Sequence, residues 1–221
     1  MARNEARRQK QLAKKKAKRQ EKRAHLARLT SPDPTVQLAD VGSWPVEEAL
    51  VPENLWTQGI GQLVMARRHP NGRLVCGIYL VDTYCLGVKN AYWRIVSRSD
   101  YQQLLYDIGK VGRHERVTPE YFAKLVHDAA AYAQAFGFAP HPDYRQARLV
   151  LTGIDTSLCP DTFTFGKDGK PFYVRGPRES LSEARLIAER VTRAGGHYII
   201  PMEESIDALA IDDAHDELEV D

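Results

Sequence analysis

The chain has 221 residues, 43% apolar and 27% charged, a balance that excludes a fibrous or wholly disordered protein and leaves enough length for a full core. Its formal charge of +2 hides a segregation: residues 1–31 hold twelve Lys or Arg against two Glu, while residues 203–221 hold nine Asp or Glu and no Lys or Arg. The three cysteines, Cys76, Cys85 and Cys159, are odd in number and lack CxxC spacing, which argues against a disulfide framework and a cysteine-rich zinc site.

The first segment, "MARNEARRQKQLAKKKAKRQEKRAHLARL", consists largely of helix-forming residues, but Leu12, Leu26 and Leu29 are its only larger apolar groups, so it has no useful face to bury. Residues 1–31 are expected to form a basic arm, disordered or helical, with like charges opposing a stable helix in isolation. The arm has no apolar h-region of a secretory signal, and no apolar run in the chain approaches the ~20 residues that span a bilayer. The expected setting is the cytoplasm, with no membrane partner. "SPDPT" at 31–35 marks a linker over 32–42, and the folded domain is expected over 43–202, entered by Trp44, Val46, Leu50, Leu55 and Trp56.

A β-rich block follows. "GQLVMARRH" (61–69) and a long run "RLVCGIYLVDTYCLGV" (73–88) flank "PNG", and Asn-Gly between strand-like runs predicts a hairpin. "AYWRIVS" (91–97) is predicted as the third strand, with Lys89 in the turn before it. Ser99 and Gln102 resemble a capping box opening the helix "DYQQLLYDIG". Over 118–137, Thr118, Pro119 and Gly137 bracket a second helix. Its apolar face includes Phe122, Leu125, Val126 and Ala129, with His127 and Asp128 on the opposite, solvent side. "ARLVLTGID" (147–155) is predicted as a strand, and "DTFTFG" and "PFYVRG" around "KDGK" as a second hairpin. Ser180 and Glu183 form a capping box for the helix "LSEARLIAERVTRAG", stopped by Gly195 and Gly196, and "HYIIP" is a last short strand. Strands and helices in blocks give an α+β fold: an antiparallel meander and hairpins packed with about three helices, flanked by the basic arm and an acidic tail over 203–221.

The segments "LWTQGIGQLVMARRHPNGRLVCGIYLVDTYCLGVKNA", "GFAPHPDYRQARLVLTGID" and "FGKDGKPFYVRGP", behind a basic arm, resemble an uncharacterised family of bacterial proteins. The resemblance spans most of residues 43–200. It implies one folded domain and brings no activity, cofactor or site residue with it.

The basic arm is the strongest functional signal. Arg3, Arg7, Arg8, Lys10, Lys14, Lys15, Lys16, Lys18, Arg19, Lys22, Arg23 and Arg28 form a counterion-releasing polycation suited to nucleic acid, with RNA or the ribosome weakly preferred to DNA. The arm contains no aromatic residue, so it offers charge without base stacking. A competing expectation is a metal-dependent nuclease or hydrolase, with Asp82, Asp143 and Asp155 converging on Mg²⁺; a third is a protein-interaction module without catalysis. No cofactor is expected outside the Mg²⁺ alternative. Cys85 with His141 and Asp143 is a further catalytic candidate, although buried cysteine is more often core filler. Lys167, Lys170, Arg175 and Arg178 crowd the second hairpin beside Phe165, Phe172 and Tyr173; basic residues interleaved with aromatics suit an extension of an RNA-facing surface, while strand alternation favours aromatics inward and charges outward. Asp82 has no easy place: a carboxylate in so apolar a run has to be paired, hydrogen-bonded or near an edge.

Overall fold

The computed structural model describes residues 38–177 and 179–201; the arm over 1–31, the acidic tail over 203–221 and Arg178 lie outside them. Five antiparallel strands, β1 (Val46–Pro52), β2 (Ile60–Arg68), β3 (Leu74–Asp82), β4 (Gly87–Val96) and β5 (His114–Arg116), form one sheet in the order β4-β3-β2-β1-β5. The hairpin predicted around "PNG" joins β2 to β3, with Arg68 opposite Leu74 and Ile60 opposite Asp82.

Side-chain alternation along these strands gives the sheet two apolar faces, and each takes a helix. On one face Leu63, Met65, Val75, Tyr79, Val81 and Ala91 meet Phe122, Leu125, Val126 and Ala129. On the other, Val64, Ala66, Leu74, Cys76, Ile78 and Val96 meet Tyr101, Leu104 and Ile108. The helices are α1 (Leu55–Gln58), α2 (Arg98–Gly109), α3 (Pro119–Ala135), α4 (Tyr144–Ala147) and α5 (Leu181–Arg193). Three of them run for 12, 17 and 13 residues, and the fold is α+β. Thr118 caps α3 through the Tyr121 amide with Pro119 in the first turn, and Ser180 with Glu183 forms the capping box of α5. Ser97, rather than Ser99, caps α2, accepting the Asp100 amide at 3.1 Å. Among the described residues no helix is long and apolar enough to cross a membrane.

Four predicted elements differ. The run 73–88 is not one strand: it breaks after Asp82, and β4 starts at Gly87 rather than Ala91. The Asp82 carboxylate accepts the amides of Tyr84 and Cys85 at 2.9 and 2.8 Å, folding the chain back as an Asx turn. Lys89 therefore lies in β4, not in a turn, at a register shift between Leu80/Asn90 and Val81/Val88, where a bulge inserts one extra residue. Gly87 has φ +62°, and a Cβ there would fall 2.5 Å from the Ala129 carbonyl oxygen and 2.7 Å from the Ala133 Cβ. The sheet and α3 touch backbone to backbone at this point.

The strand predicted over 147–155 is instead the end of α4 and a 3₁₀ turn at Arg148–Leu151. Its carbonyls are occupied by Arg67, which donates from Nε to Val150 O at 2.7 Å and from Nη2 to Thr152 O at 2.6 Å. Of the expected linker, residues 32–37 lie outside the described residues, and Leu38–Ser43 forms a 3₁₀ turn with Val41 fully buried. In the second hairpin, Asp168 and Gly169 take φ +54° and +76°, the Asp-Gly geometry of a tight turn. Only Lys167 and Lys170 pair across it. β6 (Phe172–Val174) pairs in parallel with β7 (His197–Ile199), the two strands being connected through α5.

Candidate functional site

Asp82 sits at the end of β3, opposite Ile60 of β2 and Gly87 of β4. Burial pushes its carboxyl above the usual range, while the turn amides and the Lys89 charge pull the other way. Thr83 donates its amide to Gly59 O at 2.8 Å and the Tyr84 hydroxyl donates to Thr57 O at 2.9 Å. The Gly166 and Phe172 amides donate to Thr83 O and Tyr84 O at 2.9 and 3.1 Å. The turn is thus tied to α1 on one side and to the segment leading into β6 on the other.

Lys89 reaches the other way. Its Nζ is 2.7 Å from Glu179 Oε1, and Glu179 Oε2 accepts the Tyr173 hydroxyl at 2.7 Å and the Gly176 amide at 2.8 Å. Burial acts to raise the Glu179 carboxyl, but these donors outweigh it and hold it below the usual carboxylate range. Arg175 Nε donates to the Glu179 carbonyl at 2.9 Å. The cluster closes the start of α5 onto the sheet with its donors and acceptors paired internally, an arrangement that fixes geometry.

Cys85 lies fully buried with Ala133, Phe138, Tyr173, Ala184 and Val191. Burial and then the Asp82 charge push its thiol up to about 12, so it carries no thiolate near neutral pH and fills the core. The Asx turn, not strand alternation, turns it inward. The His141 amide donates to Val88 O at 2.9 Å, and its ring Nδ1 accepts the Asp143 amide at 3.3 Å, with Asp143 Oδ2 3.8 Å away. Asp143 precedes α4 and is exposed. Asp155 is exposed as well and caps the 3₁₀ turn Thr156–Leu158 through Ser157, whose donors hold its carboxyl low. The carboxylates of Asp82 and Asp155 each serve their own turn, that of Asp143 caps no helix, and among the described residues no three His, Cys, Asp or Glu side chains gather as a metal ion requires.

A different set of residues converges in space. Trp56 on α1, Tyr121 in the first turn of α3 and Phe163 between Cys159 and β6 are all half-buried. Together with Asp161, Thr162 and Thr164 they line an open cleft of about 370 Å³. Trp56 and Phe163 stack at 5.6 Å with an interplanar angle of 20°, and Tyr121 meets Phe163 edge-on at 5.0 Å and 85°. Behind them Phe165 stacks on Tyr132 at 5.2 Å and 21°. Lys124 Nζ lies 4.9 Å from the Phe163 ring centroid and 2.9 Å from Asp128 Oδ2. Burial raises the Tyr121 hydroxyl's pKa, opposed by its hydrogen bond with Trp56.

No protein-family model, curated protein or solved structure matches the chain. The site is therefore assigned on geometry alone. In sequence, Trp56 reads as core and Phe163 and Phe165 as one face of a hairpin strand. The signal for the cleft is "DTFTFG", in which aromatics alternate with short hydroxyl side chains. In a strand that pattern turns the rings toward the sheet; here residues 161–165 belong to no strand, and the rings reach Trp56 and α3.

Of the cationic residues around the second turn, Lys167 lies 4.7 Å over the Phe172 ring while Tyr173 is fully buried. Lys167 and Lys170 are exposed, Arg175 is half-buried against the Glu179 carbonyl, and Arg178 lies outside the described residues.

Proposed function

We propose that the protein binds nucleic acid in the cytoplasm, RNA or the ribosome ahead of DNA, through the basic residues between Arg3 and Arg28. The observation that carries this reading is twelve cations against two Glu within the first 31 residues, a charge density that releases phosphate counterions on contact. The arm supplies affinity without sequence preference, and the α+β body supplies whatever selectivity exists. Cytoplasmic placement rests on three unpaired, buried cysteines, Cys76, Cys85 and Cys159, which suit a reducing compartment. The local hydrogen bonds of the Asp82 and Asp155 carboxylates favour turn formation over Mg²⁺ chemistry.

The test is fluorescence anisotropy of labelled single-stranded RNA, duplex RNA and duplex DNA across a salt series. If about half of the arm's cations engage a single strand, the slope of log K against log salt is about −4. Replacing Lys14, Lys15, Lys16 and Lys18 with Ala is expected to reduce that slope by about 3 and weaken binding at low salt more than tenfold. Affinity that is indifferent to salt, or unchanged in this variant, overturns the assignment.

A further inference from the structure

We infer that the cleft formed by Trp56, Tyr121 and Phe163 is a stacking site for an unpaired nucleobase. This inference rests on the nucleic-acid reading and deepens it: the arm brings phosphate-binding charge and no aromatic residue, whereas single-strand binders combine charge with stacking platforms. The cleft supplies the missing half. Its volume of about 370 Å³ lies within the range of small-ligand sites.

The lining specifies the chemistry of the occupant. Trp56 and Phe163 lie nearly parallel, and Tyr121 closes the cleft edge-on, so a flat ring extends an aromatic stack that already exists. Lys124 already holds the cation position over Phe163, so a cationic guest meets a like charge where a neutral ring does not. At the rim, exposed Asp161, Thr162 and Thr164 provide acceptors for the N–H donors of a base edge. The Asp161 carboxylate repels phosphate, so the base enters the cleft and the backbone stays outside. Duplexes are excluded, because paired bases do not present a free face.

The full-length protein is titrated with a short single-stranded RNA of mixed sequence and, separately, with linear polyphosphate, a polyanion without bases. Two variants are compared with the native chain: Phe163→Ala, which removes one wall, and Thr162→Glu, which leaves the aromatic wall intact and adds charge and bulk at the rim. Circular dichroism and thermal unfolding confirm that each remains folded; Thr162→Glu, at an exposed position, carries the test if Phe163→Ala does not fold. The expected result is RNA affinity about tenfold weaker in both variants, with polyphosphate affinity unchanged in Phe163→Ala and reduced much less than RNA affinity in Thr162→Glu, whose added charge repels any polyanion. RNA affinity equal to native, or equal losses for RNA and polyphosphate, overturns the stacking site. If the cleft variants bind RNA as the native chain does while the Lys14–Lys18 alanine variant does not, the arm reading stands and the cleft fails. If the native protein binds no RNA at all, both fail.

Discussion

Asp82 shows how a residue that looks catalytic can be explained by backbone chemistry. It is 9% exposed and one oxygen accepts two amides of its own turn. That turn sets the length of β3 and the start of β4, and aims Cys85 into the core. A carboxyl whose pKa is raised on folding holds its proton more tightly in the folded chain. The stability it contributes is whole below the unfolded pKa and declines as pH rises through the folded one. Asn keeps an acceptor oxygen without titrating. Asp82→Asn is therefore expected to gain stability relative to the native protein between pH 3 and pH 7, read from urea midpoints at both ends of that range. Asp82→Ala loses the acceptor at either pH, at about 1–3 kcal/mol. Parallel pH dependence in native and Asn chains would mean that burial does not govern this carboxyl.

Between elements, the analogous device is Arg67. It is 2% exposed and donates to four carbonyls: Val150 O, Thr152 O, Gly42 O and Trp44 O. Two 3₁₀ turns, far apart in sequence, are fastened by it to β2. Arg67→Met would fill much of the same space and leave those carbonyls without a donor. The expected loss is about 3 kcal/mol, since buried acceptors are costly to strand and only the more exposed ones regain water; it should appear as a lower urea midpoint with an unchanged m value. A loss below about 1 kcal/mol would show that water replaces the guanidinium. The same residue explains part of what the sequence conceals. Helix ends were legible where a short side chain meets a nearby amide, as at Thr118 and Ser180. The meander was legible from alternation and Asn-Gly. "ARLVLTGID" misleads because a short apolar run suits a strand or a buried 3₁₀ turn equally, and the deciding donor stands 83 residues away. The aromatic cleft is hidden for a related reason: Trp56, Tyr121 and Phe163 belong to three elements, and only the failure of 160–166 to pair as a strand brings them together.

For the molecule as a whole, charge is segregated along the sequence. The basic segment carries +10 and the acidic one −9, leaving +1 for residues between and beside them. Oppositely charged segments joined in one chain are held at a high effective concentration, so competition between the acidic segment and phosphate for the basic one is an expectation to be tested. Removing residues 203–221 is then expected to strengthen RNA binding about tenfold at low salt. The gain should shrink toward nothing as the Debye length falls from about 30 Å at 0.01 M to about 3 Å at 1 M, because screening weakens the internal competitor first where it is exposed. Anisotropy titrations of the native and shortened chains over that salt range measure the difference directly. A tail that acts as a competitor changes affinity and salt slope together and leaves thermal stability of the α+β body alone. Equal affinities at every salt concentration would remove the acidic segment from the binding equilibrium and leave the arm to act unopposed.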